Sequence, residues 1–245
     1  MLAATEKLHS LLETNGNSNR WRDDPQLYYH NRQAPAGSVN ISPGWFPLGH
    51  EVSGFISIDM RQLVYDEQRV AKHPKVCPQL NSVAGLEWLD EISRSNMVLS
   101  AILAVIHPEL YEAGKETNLR LGNDPDFQDH DVDRVLSRWG SAFNGVAVLS
   151  NRITPAHRDG KSRKQWYDML VTLGAYQNCQ LTLSGLGVSF EYGPGTVVGL
   201  SGMMLVHEVS EFEGNRVCYA YFMRDSVHEW AGVPANNWMN TKYYK

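Results

Sequence analysis

The stretch TPAHRDGKSRKQW, residues 154–166, concentrates groups that could do chemistry. His157 and Asp159 stand two apart with Arg158 between them. In a strand, side chains at i and i+2 point to one side. A neutral imidazole and a carboxylate at that spacing can reach a single metal ion, while Arg158 points the other way. His-Arg-Asp also opens the catalytic loop of protein kinases, where an Asn must follow five residues after the Asp and Gly-rich, DFG and APE motifs must accompany it. Lys164 occupies the Asn position, the companion motifs are missing, and GLG at 185–187 lies downstream without a third glycine. The chain does not have the pattern of a kinase.

A metal held by two imidazoles and one carboxylate needs a second His from elsewhere. His207, in the apolar segment GTVVGLSGMMLVHEV, is the candidate; its competing reading is a histidine packed in a core. Arg216 follows nine residues later and opens RVCYAYFM. An arginine leading into a buried strand is costly unless paired. Its partner is either a structural carboxylate or the carboxylate of a bound acid, which the guanidinium fork fits well. The order favours a metal centre: HxD, about five strands, His, then Arg in the next strand.

These residues need a β scaffold, and the sequence from Gly140 onward supplies one. Short segments rich in Val, Leu, Tyr and Phe alternate with turn residues at 145–152, 168–176, 180–184, 188–192, 196–200, 203–209 and 216–223,. GLG at 185–187 and GPG at 193–195 suit tight turns,. Closely spaced strands without intervening helices predict an antiparallel sandwich or jelly roll. Upstream, residues 59–72, 86–106 and 126–138 place apolar residues three and four apart, as helices do, and Pro108 closes the middle one,. Leu2, Leu8, Leu11 and Leu12 suggest one face of a short N-terminal helix, and the aromatic-rich stretch 15–54 reads as long loops,. The expected class is α+β, a jelly-roll core braced by N-terminal helices. One domain spans 1–245, with 1–140 as support, 141–230 as the core and 231–245 as a C-terminal tail.

The 245 residues are 42% apolar, enough for a sizeable core, and carry a net charge of −5, so any nucleic-acid contact has to come from a local patch,. Cys77, Cys179 and Cys218 are few and far apart, which argues against a disulfide framework or structural zinc and fits a reducing compartment,. The longest apolar stretch, 97–106, is too short to span a bilayer, which takes about 20 residues,. The N-terminus lacks a signal-peptide core. A soluble, intracellular protein without a membrane or an obligate protein partner is expected.

FNGVAVLSNRITPAHRD (143–159), DMLVTL (168–173), His207 and GNRVCYAYF (214–222) resemble the Fe(II)- and 2-oxoglutarate-dependent dioxygenases. More narrowly, F-x-G-V leading into HRD, with Arg-V-x-hydrophobic in the last strand, is similar to the TET/J-binding-protein family, whose members oxidise methyl groups on DNA bases. Fungi carry short versions of that family, and this chain resembles one of them. The resemblance covers the C-terminal hundred or so residues; residues 1–135 match nothing position by position.

The resemblance implies a double-stranded β-helix with the active site in its open mouth. His157, Asp159 and His207 would hold Fe(II), and Arg216 would hold the distal carboxylate of 2-oxoglutarate, with O2 as co-reactant. Asn151, six residues before His157, would lie near the cosubstrate or a bound water, and Arg224 would be the fallback carboxylate partner. A methylated base in duplex DNA must be flipped out to reach such a site. Phe222, six residues after Arg216, would be the stacking platform, with ordinary sheet packing as the competing reading. Arg224 stands where the family can have a base-contacting His, which leaves the choice of base open; Asp225 would accept from an exocyclic amine. Arg152, Arg158, Lys161, Arg163 and Lys164 would face phosphates, or form a solvated loop,. Arg20, Trp21, Arg22, Tyr28, Tyr29, Trp45 and Phe46 would form a second wall, or pack on the barrel. The remaining histidines (His9, His30, His50, His73, His107, His130 and His228) have no partner at ligand spacing and read as structural or surface groups. The implied substrate is 5-methylcytosine in double-stranded DNA, with N6-methyladenine, a protein or a small molecule as alternatives, and a cupin-like binding module as the non-enzymatic one. A DNA substrate implies a nuclear location.

Overall fold

Alternation of large apolar with small or polar residues carries the chain from 145 to 222 back and forth through antiparallel strands. The computed structural model describes residues 1–12, 24–46, 74–123, 130–160, 162–240 and 242. The helix expected over 59–72 lies outside them, as do His50, His73, Lys161, Arg20, Trp21 and Arg22. The strands are β1 (Gly37–Ile41), β2 (Gly145–Ser150), β3 (Thr154–His157), β4 (Asp168–Gln177), β5 (Gln180–Leu183), β6 (Val188–Glu191), β7 (Val197–Leu200), β8 (His207–Val209) and β9 (Glu213–Phe222). Among the described residues they form a five-stranded sheet, order β1-β2-β9-β4-β7, facing a four-stranded sheet, order β3-β8-β5-β6. The architecture is α+β, with a jelly-roll core.

Two expectations need correction. The stretch 15–54 is not all loop: Gly37–Ile41 is a strand that pairs with β2 along its full length. The segment 203–209 is strand only from His207; before that the amides of Met204 and Leu205 turn back onto the Ser201 carbonyl.

Helices α1 (Leu2–Lys7), α2 (Val83–Ile106), α3 (Pro108–Asn123) and α4 (His130–Trp139) are joined by α5 (Asp225–Trp230) after the last strand. Ser82 caps α2, its hydroxyl accepting from the Gly85 amide at 3.0 Å,. Pro108 both stops α2 and starts α3, since a missing N–H costs nothing in a first helical turn. The helices cover the outer face of the five-stranded sheet. Trp88, Leu89, Ile92 and Leu103 pack with Val146, Val148, Met169, Tyr219 and Tyr221. Polar pins fix this layer: Trp88 donates to the Tyr219 hydroxyl (3.2 Å), and the Tyr221 hydroxyl donates to Asn96 Oδ1 (2.7 Å).

Because strand residues alternate, putting Val217, Tyr219 and Tyr221 toward the helices turns Arg216, Cys218, Ala220 and Phe222 into the space between the sheets. That space holds a second cluster with Tyr176, Leu181, Tyr192, Leu200 and Phe212. No helix of the described residues is long and apolar enough to cross a membrane.

Candidate active site

β3 and β8 pair antiparallel so that His157 stands directly opposite His207, across a register shift after Thr154. The two rings lie 4.2 Å apart, centre to centre. Asp159 falls just beyond the end of β3, where its amide donates to the Gly202 carbonyl (2.9 Å). That bond, rather than strand alternation alone, turns its carboxylate toward both imidazoles: Oδ1 is 3.6 Å from His157 Nε2, and Oδ2 is 3.6 Å from His207 Nε2. One ligand atom from each residue lies within 4.8 Å of the others.

The outer ring nitrogens fix the tautomers. His157 Nδ1 is 2.9 Å from the Pro155 carbonyl, and His207 Nδ1 is 3.0 Å from the Leu205 carbonyl. A carbonyl only accepts, so each Nδ1 carries a proton, and Nε2 is the nitrogen each ring turns toward Asp159. Two neutral imidazoles and a carboxylate are the donor set of non-haem Fe(II) sites. A packed core histidine would not explain three such donors converging.

Arg216 sits deeper between the sheets and is 2% exposed. The rings of Tyr192, Phe212 and Tyr176 surround its guanidinium at 5.0, 5.7 and 5.9 Å. Its Nε and Nη2 make no hydrogen bond among the described residues, and no carboxylate there pairs with it. The structural salt bridge that was the competing reading is absent among the described residues. Two unfilled donors on a buried cation fit an incoming carboxylate. Asn151, by contrast, is committed elsewhere. Its Oδ1 accepts from the Arg216 amide (2.9 Å) and its Nδ2 donates to the Ala34 carbonyl (2.7 Å), so it ties strands together and is not placed to serve a cosubstrate.

Phe222 lies at the far end of the same β9 face, about 20 Å from Arg216 at roughly 3.3 Å per residue. Its ring covers Gly145, where a Cβ would come within 2.4 Å of Phe222 Cε2. Arg224 spreads over Trp45 (4.2 Å) and Phe222 (5.2 Å). It is too far along the strand to hold the carboxylate that Arg216 would hold, which removes it as a fallback. Asp225 forms a close ion pair with Arg163 at the start of α5, so neither residue keeps its expected role at a base edge or a phosphate. Arg163 also lies over Trp166 at 5.0 Å. Arg152 is buried beside Tyr28 and leaves the cationic run. Arg158 and Lys164 remain exposed. Of the expected second wall, Tyr28 is buried in the fold and Tyr29 packs on Phe212.

The sequence reading missed Asp168. It is in phase with Leu170 and Thr172 on β4, so the alternation in YDMLVT already marked an acid on an inward face. It is 5% exposed, and among the described residues the Gly202 amide approaches its carboxylate without forming a well-aligned hydrogen bond. Burial first, and the neighbouring Asp159 second, push its carboxyl well above the usual carboxylate range. Asp159 and Asp168 meet at Gly202, where a Cβ would stand 2.5 Å from an Oδ2 of each.

Two sheets enclose a His-Asp-His cluster that could hold a metal ion, and an arginine buried between them has no carboxylate partner among the described residues. Residues 68–225 match the oxygenase domain of the 2OGFeDO superfamily, Tet_JBP, and the chain belongs to that family. Among solved structures, NgTET1 in complex with 5mC DNA is similar at 17% identity and a TM-score of 0.48, over 70% of this chain and 62% of that one, so this chain spans about three fifths of its length. No curated protein matches the chain.

Proposed function

We propose that this chain is an Fe(II)- and 2-oxoglutarate-dependent dioxygenase that hydroxylates the methyl group of a flipped-out base in double-stranded DNA, 5-methylcytosine first of all. The observation that carries the reading is the pairing of a His157–Asp159–His207 donor set, within 4.8 Å, with an Arg216 that is buried without a carboxylate partner among the described residues. His157 and His207 would hold the metal through Nε2, and Asp159 through its carboxylate. Arg216 would hold the distal carboxylate of 2-oxoglutarate. When bound, iron and 2-oxoglutarate activate O2 and supply the oxidising power, with release of CO2 and succinate.

The protein's own part is positional. The Pro155 and Leu205 carbonyls keep both rings in the ligand tautomer. Tyr176, Tyr192 and Phe212 exclude water around Arg216, which strengthens its hold on an anion. Cys218 and Ala220, small residues between Arg216 and Phe222 on the inward face of β9, leave room between a cosubstrate end and a base end. Phe222 offers a π face to a base that has left the stack. Exposed Arg158, beside the metal ligands, and Lys164 would meet the phosphates. A substrate of this kind implies action where genomic DNA is kept.

The test is incubation of the purified chain with Fe(II), 2-oxoglutarate, O2 and duplexes carrying 5-methylcytosine or N6-methyladenine, followed by mass analysis of the nucleosides. Formation of 5-hydroxymethylcytosine is expected. Both bases recovered unchanged, from a protein that binds iron and 2-oxoglutarate, would remove DNA as the substrate.

A further inference from the structure

We propose that β6 is a self-association edge. Two copies of this chain pair their β6 strands antiparallel about a two-fold axis at Phe190, and so join two four-stranded sheets into one.

Hydrogen-bond parity in the β5–β6 hairpin shows which backbone groups are left over. Among the described residues β6 ends the sheet order β3-β8-β5-β6. It pairs with β5 so that Leu181 stands opposite Phe190 and Thr182 opposite Ser189. The Tyr192 amide donates to the Cys179 carbonyl (2.8 Å), and on the far side of β5 the Ser210 amide donates to the Gln180 carbonyl (3.0 Å). Backbone groups alternate in direction along an antiparallel strand. Phe190 therefore shares the direction of Tyr192, toward β5, while Ser189 and Glu191 aim their N–H and C=O groups away from the sheet. Gly187, with a left-handed φ of 66°, ends this row on one side. The Thr196 amide, turning back onto the Gly193 carbonyl, ends it on the other. A register with Ser189 of one copy opposite Glu191 of the other uses every outward group. Centring on Ser189 or on Glu191 instead uses half of them.

The side chains suit that register. Phe190 falls opposite Phe190 of the other copy at a non-hydrogen-bonded position, where side chains come closest. Its ring is 51% exposed although its ladder partner Leu181 is fully buried, and exposed Val188 stands opposite buried Leu183 in the same way. The apolar inner face thus runs out to an uncovered edge, and a ring on the axis is covered by its own copy. On the other face Ser189 meets Glu191, so no like charges stand opposite each other. Edges that stay unpaired commonly carry Lys, Pro or a bulge. β3, the opposite edge of this sheet, has Pro155 and a register shift. β6, Val-Ser-Phe-Glu, has none of these and pairs with β5 in unbroken register. Self-complementarity about one residue is what a two-fold interface requires, and it selects a second copy over an unrelated strand. Strands this short bury little area, so the association is weak and is populated at high protein concentration.

The experiment is sedimentation velocity on the full chain, from micromolar to several hundred micromolar protein. The weight-average mass should rise with concentration toward that of a dimer. Ser189→Pro removes an outward N–H and no bond to β5, so it should keep the chain monomeric throughout with an unchanged circular dichroism spectrum. Disulfide trapping reads the register. Phe190→Cys puts two thiols on the axis with Cα atoms about 4.5 Å apart, within bridging range, and should give a covalent dimer on mild oxidation. Val188→Cys, whose copies are displaced about 13 Å along the strand at roughly 3.3 Å per residue, should not. The three native cysteines are buried and do not compete. A wild type that stays monomeric at the highest concentration overturns the proposal, whether or not the variants fold, and leaves the edge to a strand of another protein. A dimer that survives Ser189→Pro overturns it as well, since the contact then lies on another face. So does a dimer that Val188→Cys bridges as readily as Phe190→Cys, since the strands then do not meet at Phe190.

Discussion

At the scale of single residues, the proposed function divides the centre into a metal end and an anion end that should answer to different substitutions. Asp159→Ala removes the one charged donor of the triad and should abolish turnover and weaken Mn(II) binding at least tenfold, read by paramagnetic resonance. Arg216→Ala should leave Mn(II) binding intact and weaken 2-oxoglutarate roughly 10- to 150-fold, the loss of charged hydrogen bonds worth about 1.5–3 kcal/mol. Titration of 2-oxoglutarate into the metal-loaded variants separates the two, and a shared defect would contradict the division. The types and order of these four residues were legible in the sequence because HxD, His and Arg each carry their chemistry in the side chain. The Nδ1 contacts were not, since both go to backbone carbonyls that any residue would supply. Asp168 carried a signal, an acid in phase with Leu170, but its neighbours Asp159 and Gly202 are brought to it by folding, not by spacing. The commitments of Asp225, Arg163 and Asn151 were hidden for the same reason: their partners are fixed by packing, not by spacing.

At the scale of elements, the site depends on how β3, β8 and the turn before β8 are brought together. The pairing of His157 with His207 brings together two side chains that could hold a metal ion, and the Gly202 turn supplies the surface against which Asp159 and Asp168 rest. Gly202→Ala is therefore a specific lesion. Its methyl would sit 2.5 Å from both carboxylates, so Asp159 must swing away from the imidazoles. Metal affinity should fall at least tenfold, while Arg158→Ala, next to the same carboxylate but exposed, leaves it unchanged. Equal Mn(II) affinity in Gly202→Ala and wild type would show that the turn yields instead. The strands after 145 were readable from period-2 alternation because each turns one face to an apolar interior. β1 was not, being five residues inside a Pro- and aromatic-rich stretch. The helix Pro108–Asn123 was missed because the proline was read only as a terminator, whereas a first helical turn accepts it,.

At the scale of the whole molecule, the proposed DNA substrate has to be reconciled with a net charge of −5, and among the described residues few exposed cations lie near the site. With Arg152 buried and Arg163 paired, Arg158 and Lys164 carry the expectation. Arg158→Glu with Lys164→Glu should weaken DNA binding and lower the slope of log affinity against log salt by about one to two, roughly one per phosphate contact. An unaltered slope would put the duplex on another face. The packing of α5 against the rest of the molecule sets a pH limit. His228 is 1% exposed, its Nδ1 lies 3.1 Å from the Thr117 hydroxyl, and its ring packs at a tilt on Trp166, 4.7 Å between centres. That hydroxyl donates to the Ala113 carbonyl, so Nδ1 donates to it and Nε2 is left without a hydrogen bond. Burial, helped by nearby Arg163, drives the imidazole down to about 3. In the unfolded chain the same group titrates near ~6.5. Between these two values the unfolded state binds a proton that the native state refuses, so stability is full above about 6.5 and falls by up to about 1.4 kcal/mol per pH unit as acid is added. His228→Asn keeps a donor toward Thr117 and removes the titration. Its stability deficit against wild type, from urea unfolding at pH 7 and pH 5, should shrink by about 2 kcal/mol over that interval. A deficit that stays constant would mean that the imidazole takes up its proton as readily inside the fold as in the unfolded chain, with α5 opening around it.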